Sequence, residues 1–573
     1  MVKRIGTYLL KGSVCISALA LMGVAGVEDP LLPVDVTVVQ WLWFWPCLSV
    51  LMLVLTVVSL WTRCWHEKIE VDVVLTGAVL LTGLWQAMLG LLQVYGWETS
   101  RHSLYAVTGS FFNPGPYSGF LAVILPLAVD VLLQERMIGN ERIEKALRGL
   151  AWVTLFVVLC ILPAGRSRAA WIAALLSVLW VCRPRLPGWL KYRGLWKKSY
   201  KRLSNWIFIG TLAVAGIGLF GSFFLNTDSA NGRLLIWKVC VDEMKPWGSL
   251  HAEGETFGGA YGKWQEDYFA SGKGTLAEEK VAGSPEYAFN EFIEIGAEYG
   301  WVPMMFVVLL AIWVLVIAVR YARNYGASGM WMALLVFSCF SYPLHFPAFW
   351  ALAILVIMKI LSTISACRTH KSNKMFFTFV CMTMGCLFLY ASNVKEWKER
   401  VNGYRDWNSC QLLYRCGMYK EAAVDYGKCA LATNRVAKEE PRFLFEWGRA
   451  LYKAGNYAEA RDVLGRLEKC TADPMVLNLQ GRCFADEAEG MKFDKDKEQA
   501  FEAAEQCYKR SSNRLPGRVY PYYLLSKLYV AWGKTEKMKL TARRVLEMKP
   551  KVVSPATEEM KREISVLLNE CME

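Results

Sequence analysis

The chain has 573 residues, 54% of them hydrophobic, with 24 Trp and a formal net charge of +14. It is too apolar and too long for one soluble domain, and its hydrophobicity is concentrated before residue 391. The basic excess sits in short connections between apolar runs, so it marks topology rather than a nucleic-acid footprint, and no nucleic-acid partner is expected.

Eleven windows approach the length of about 17 to 25 residues that crosses a hydrocarbon core of roughly 30 Å. They lie near 6–25, 41–61, 73–96, 116–133, 147–163, 165–182, 205–225, 301–319, 330–345, 348–364 and 375–391. Met1-Val2-Lys3-Arg4 opens the first, and no clear small-x-small site precedes Glu28-Asp29-Pro30, so an uncleaved span is expected. Lys and Arg crowd the connections that share a side with the N-terminus, including a dense run between Arg183 and Arg202. The short loops opposite carry only Arg101, Arg166 and Arg168. The positive-inside rule then places the N-terminus in the cytoplasm, with the 165–168 hairpin, the long 226–300 segment and the tail outside. Seventeen cysteines, many of them inside spans and without metal-type spacing, do not form a disulfide framework. Seven of them fall in the tail, an awkward number for an oxidising compartment.

Three stretches carry chemistry. Residues 108–120 (TGSFFNPGPYSGF) lead into a span with irregular, Gly- and Pro-rich backbone, which needs protein or a water-filled cavity to receive its polar groups. An outward-opening cavity is expected there, and a loop tightened by turn residues is the plain alternative. The 14 residues from Ala169 to Cys182 make only about 21 Å of helix, so that helix is expected to begin several residues earlier. This would draw Arg166 and Arg168 into the outer leaflet, where a guanidinium is costly unless it meets an anion or snorkels to the surface. Arg233 opens a run, Arg-Leu-Leu-Ile-Trp-Lys-Val-Cys-Val, that reads as an amphipathic interfacial helix or a headgroup anchor.

From about Tyr404 the composition turns polar, and Trp447-Gly448, Leu451-Tyr452, Gly455-Asn456-Tyr457, Ala460 and Leu464 form the clearest copy of a recurring motif. Its spacing is close to the 34-residue tetratricopeptide period. The expected fold is therefore all-α: a polytopic membrane bundle over 1–391 and an extracytoplasmic tetratricopeptide-type α-solenoid over 392–573. The solenoid either docks a protein partner or is a stabilising appendage.

Taken in order, five elements resemble the O-antigen ligase and polymerase superfamily of bacterial envelope glycosyltransferases. They are Gly109 to Pro114, Ser167-Arg168, Gly232 to Trp237 followed by Gly258-Gly259-Ala260-Tyr261, Asn290-Glu291-Phe292, and Glu298-Tyr299-Gly300. The resemblance covers roughly residues 70–365, and a trailing repeat is similar to variants that include protein O-oligosaccharyltransferases. It implies a GT-C-like architecture in the bacterial cytoplasmic membrane. It also implies inverting, metal-independent transfer of a glycan from an undecaprenyl-diphosphate carrier to a lipid, glycan or protein acceptor.

On this reading Arg168 and Arg233 would clamp the diphosphate, with Arg166 and Arg101 contributing and Asn113 and Asn290 completing the substrate site. Guanidinium forks bind phosphate oxygens bidentately and stabilise the charge that grows as the sugar-phosphate bond breaks. No cofactor and no metal is expected; the membrane part offers no Asp-x-Asp and no His cluster. In the ligase branch a histidine usually precedes the Asn-Glu pair and is the favoured base, whereas this chain has Phe289 there. Glu291 and His251, on the same outer loop, remain as catalytic candidates, against structural roles for both. The acceptor stays open, as does the choice among ligase, polymerase and oligosaccharyltransferase. A transporter of a lipid-linked or anionic substrate is the alternative of another class, without the paired repeats usual there. A noncatalytic envelope scaffold is a third reading.

Overall fold

The computed structural model describes residues 2–33, 35–65, 69–134, 140–185, 206, 209–210, 227–248, 255–322, 324–367, 372–432, 436–549 and 554–570. Among them the fold is all-α, with no strand beyond an isolated bridge between His102 and Tyr105. The span expected at 205–225, most of the basic run before it, and His251 lie outside the described residues. The chain falls into two compact units. One comprises Met1–Leu225, Phe289–Phe292 and Met305–Val401, and the other Asn226–Ala288, Ile293–Met304 and Asn402–Glu573.

The first unit contains α1 (Val2–Met22), α2 (Val38–Trp65), α3 (Val71–Val94), α4 (Pro114–Leu133), α5 (Glu141–Ile161) and α6 (Arg168–Cys182). Among the described residues, seven helices are long and apolar enough to cross a membrane. Their burial separates lipid-type from core-type helices. The Pro114–Leu133 window is 83% buried, whereas Trp301–Tyr321, the most hydropathic of the set, is only 11% buried. Phe306 at 68% and Trp313 at 59% exposure would be untenable against water at such density, so an apolar solvent surrounds this helix. The chain is a membrane protein.

Helix α4 is the centre of the bundle because small residues let its neighbours close in. A Cβ on Gly119 would strike the Phe337 ring at 2.2 Å, and Gly329 would meet Pro126 at 2.9 Å. The two ends of this unit differ chemically. At the basic end, Lys359, 1% exposed, donates to Asp72 at 2.6 Å, and Asn324 Nδ2 reaches the same carboxylate at 3.2 Å. Asp130 pairs with Arg185 at 2.5 Å. These contacts neutralise charges that would otherwise be expensive at the rim of an apolar bundle. The other, glycine-rich end holds the connections 95–113, 162–167 and 339–346.

The second unit begins with α7 (Thr227–Glu243), α8 (Phe257–Ala270), α9 (Leu276–Val281) and α10 (Glu291–Tyr299), the last shared at its first two residues with the membrane unit. The chain returns to the first unit at Met305, within α11 (Trp301–Ile317), and stays there through α12 (Tyr325–Ser338), α13 (Pro347–Cys367) and the 44-residue α14 (Ser372–Arg415) as far as Val401. The tail runs through α15 (Tyr419–Ala432), α16 (Val436–Glu439), α17 (Pro441–Lys453), α18 (Tyr457–Glu468), α19 (Met475–Glu489), α20 (Asp494–Arg514), α21 (Val519–Ala531), α22 (Thr535–Glu547) and α23 (Pro555–Glu570). From α17 onward each helix packs on its successor, and α17, α19, α21 and α23 also touch in turn. Gly448 and Gly481 permit these approaches: a Cβ at either would meet Leu464 at 2.8 Å or the Tyr508 ring at 2.4 Å. Cys240, Cys410 and Cys483 are buried, and none of the three is in a disulfide.

Segment 226–288 and the tail belong to one unit because α8 packs on α20. The Gly258-Gly259-Ala260-Tyr261-Gly262 stretch is the contact surface: a Cβ on Gly259 would sit 1.9 Å from the Lys469 carbonyl oxygen, and one on Gly262 2.8 Å from Ala472 Cα. Thr256 N–H donates to Lys469 O at 3.0 Å, and Gln265 Nε2 to Arg514 O at 2.6 Å. Arg510 and the fully buried Arg514 both bridge Glu266 and Glu468. Burial pushes the Glu468 carboxyl up, but the two guanidinium groups outweigh it and hold it below the ordinary carboxylate value.

Candidate active site

At the glycine-rich end the sequence motifs acquire local causes. Asn113 caps α4, its Oδ1 accepting the Gly115 N–H at 2.9 Å, and Pro114 takes the first helical position, where its missing N–H costs nothing. The irregular backbone before it is received by two buried glutamines of α3. Gln93 Oε1 accepts the N–H groups of Thr108 and Gly109 at 2.9 and 2.7 Å, and its Nε2 donates to Gly109 O at 2.9 Å. Gln86 donates to Ser110 Oγ at 2.8 Å. Protein groups thus satisfy the backbone of residues 108–110. Arg101 braces the same loop, with Nη1 on Ser110 O at 2.7 Å and Nη2 on Glu28 at 2.6 Å.

Helix α6 begins at Arg168, only one residue before Ala169, so the longer helix expected there does not form. Ser167 Oγ accepts the Ala170 N–H and caps it, and Arg166, at φ 48°, breaks any continuation upstream. The exposed Arg166 side chain and the half-buried Arg168 therefore stand at a helix start, where unpaired N–H groups and the dipole favour an anion. The hairpin lies directly on α4: a Cβ on Gly165 would be 2.0 Å from Ser118 Oγ.

The 289–292 segment reaches this end from much later in the chain. Phe289, at φ 53°, is the other non-glycine residue with left-handed backbone among those described. Its ring meets Tyr342 edge-on at 5.5 Å. Tyr342 in turn packs on His345 at 6.3 Å and Phe346 at 5.8 Å, and Phe346 touches Phe111 at 5.9 Å and Phe112 at 5.8 Å. Glu291 is only 4% exposed, and its Oε1 accepts the Leu344 N–H at 2.5 Å. Asn290 Oδ1 accepts the Phe292 N–H at 3.0 Å. A chain of direct contacts thus gathers the Phe112-Asn113 turn, the 340–346 turn and the Phe289-Asn290-Glu291 element, while the Arg166-Arg168 hairpin adjoins the same helix start.

Arg233 belongs to the second unit. It lies half-buried in α7, whose Leu235, Ile236 and Val239 are buried against α8 and α9, so the apolar face expected to lie on a membrane is covered by protein. Trp237 Nε1 donates to Ala288 O at 2.8 Å, and Lys238 bonds Glu278 at 2.8 Å and Tyr268 OH at 2.7 Å. Burial pushes Glu278 up, yet bonds from Lys238, Thr275 and Tyr268 outweigh it and hold the carboxyl at about 2.

Sequence reasoning overlooked Gln86, Gln93, Tyr342 and His345. The glutamines carried a signal, since two amides in an apolar span demand partners. The other two did not, because nothing local links residues 342 and 345 to residue 289. No protein-family model matches the chain, and no curated protein matches it.

Proposed function

We propose that the chain is a membrane glycosyltransferase that moves a glycan from a polyprenyl-diphosphate carrier to an acceptor hydroxyl at the outer membrane face, ligase-like in reaction. The observation that carries this reading is the coincidence of strain with motif. Among the described residues the two left-handed non-glycine residues, Arg166 and Phe289, immediately precede the Ser167-Arg168 and Asn290-Glu291 elements of the sequence. Such backbone costs about 1 to 3 kcal/mol and persists where a site needs it.

Arg168 and Arg166, at a helix start, are suited to bind diphosphate oxygens and stabilise the leaving group. Arg233 is assigned to the same chemistry by resemblance and is tested by substitution. Glu291, buried and engaged by Leu344 N–H, is better placed to hold the 340–346 turn than to take a proton. The reading includes eleven spans, a cytoplasmic N-terminus, and a tail of tetratricopeptide type, supported by its successive helix contacts and by Gly448 and Gly481. Because the 226–288 segment and the tail pack as one unit, they must share one side of the membrane.

The test is reconstitution of the full chain in vesicles with a polyprenyl-diphosphate-linked glycan and candidate acceptors. A glycoconjugate together with free polyprenyl diphosphate supports transfer. Movement of intact lipid-linked glycan across the bilayer without product would favour a transporter instead.

A further inference from the structure

We infer that His345 is the general base that deprotonates the acceptor hydroxyl, an inference resting on the transferase reading above. Transfer of a glycan to a hydroxyl forms one C–O bond to the acceptor and breaks the anomeric C–O bond to phosphate. The diphosphate leaves with the bonding electrons, and the acceptor proton must go to a nearby group. An imidazole whose ordinary pKa is about 6.5 is matched to this task near neutral pH.

His345 ends the single-turn 3-10 helix Pro343–His345, and the backbone just before it is fixed twice. Glu291 accepts the Leu344 N–H at 2.5 Å, and the Leu344 carbonyl accepts Trp350 Nε1 at 2.8 Å. The half-buried imidazole is thereby set against Tyr342, whose ring meets Phe289, and the next residue, Phe346, packs on Phe112. A base positioned by a buried carboxylate through one backbone bond is rigid yet still reachable by substrate.

Other groups at this end are less suited. Glu291 is nearly enclosed, and Glu28 closes on Arg101. His102 Nδ1 accepts the Leu104 N–H at 3.1 Å, which puts the proton of its neutral ring on Nε2 and removes its basic nitrogen from use. Glu98 is an exposed loop carboxylate with no contact to the 340–346 turn in the described bonds. Near His345 lie Tyr342, whose ring packs on it, and Glu291, which holds the preceding residue through the Leu344 N–H.

The experiment measures transfer from a polyprenyl-diphosphate-linked glycan by reconstituted full-length wild type, His345→Ala and His345→Gln, alongside retention of the donor. Both variants should keep donor binding within about twofold and lose transfer by about 10²- to 10⁴-fold. The wild-type kcat/KM should rise through an acidic limb near pH 6 to 7, and the residual activity of the variants should lack it. Transfer by either variant within a few-fold of wild type, or an acidic limb that survives in both, overturns the assignment while leaving the transferase reading standing. Absence of product from wild type itself removes both.

Discussion

The Glu291 carboxylate accepts the backbone N–H of Leu344 at 2.5 Å across 53 residues of sequence, tying the Asn-Glu element to the turn that carries His345. Removing the acceptor would strand a part-buried N–H, at a cost of about 1 to 3 kcal/mol. Glu291→Ala should therefore lower both the thermal midpoint in detergent and the transfer rate. Glu291→Gln, which keeps an acceptor oxygen, should retain most of the stability. Equal stability losses for the two would show that the bond to Leu344 contributes little.

Arg166 allows strain and charge to be separated. At φ 48° a glycine is relaxed where arginine is not, so Arg166→Gly should stabilise the protein by about 1 kcal/mol relative to Arg166→Ala. Both variants lose the guanidinium, and both should transfer glycan about tenfold or more slowly than wild type. Thermal unfolding and initial rates, measured on the same preparations, check the two halves independently.

Gly259 tests the union of the 226–288 segment with the tail. The methyl of Gly259→Ala would fall 1.9 Å from the Lys469 carbonyl, with backbone on both sides and no flexible group to yield. A loss of about 2 kcal/mol or more is expected, with faster proteolysis around α8. Gly283→Ala, where nothing lies within 4 Å, should behave as wild type.

Acid should loosen the second unit. Glu278 is held at about 2 against an ordinary 4.5. Burial likewise pushes Glu505 up while Lys509, Tyr529 and Lys537 pull it down to about 2. A depressed carboxyl contributes fully above its unfolded value, so stability should be constant above about pH 4.5 and fall progressively as the pH drops toward 2. Glu278→Gln should flatten part of that decline in a pH series of thermal midpoints.

Cys416 is exposed, unlike Cys410, Cys429, Cys470 and Cys483, and it reports the side on which the tail lies. A membrane-impermeant thiol reagent should label it in intact spheroplasts. Labelling only after lysis would put the tail, and with it the 226–288 segment, in the cytoplasm.

What the sequence discloses here is whatever is local. Apolar windows coincide with the long apolar helices, residues 108–120 announce the start of a span, and Gly448 marks a close helix approach. Pairings across long separations are hidden. The Gly258–Gly262 stretch reads as a motif, yet its partners are Lys469 and Ala472, some two hundred residues later. The ring contacts that link residue 289 to residue 345 are hidden for the same reason: Phe289 packs on Tyr342, and Tyr342 on His345. Short helices mislead in another way, since α6 stops at its Ser167 cap although hydropathy alone invites a longer span.

The most direct test is stoichiometric. Reconstituted wild type, given a polyprenyl-diphosphate-linked glycan and an acceptor, should release one polyprenyl diphosphate for each glycan transferred, and Arg168→Ala or Arg233→Ala should release almost none while folding normally. Product formation by Arg168→Ala at the wild-type rate, or carrier consumption without any glycoconjugate, would contradict the assignment of this membrane unit to diphosphate chemistry.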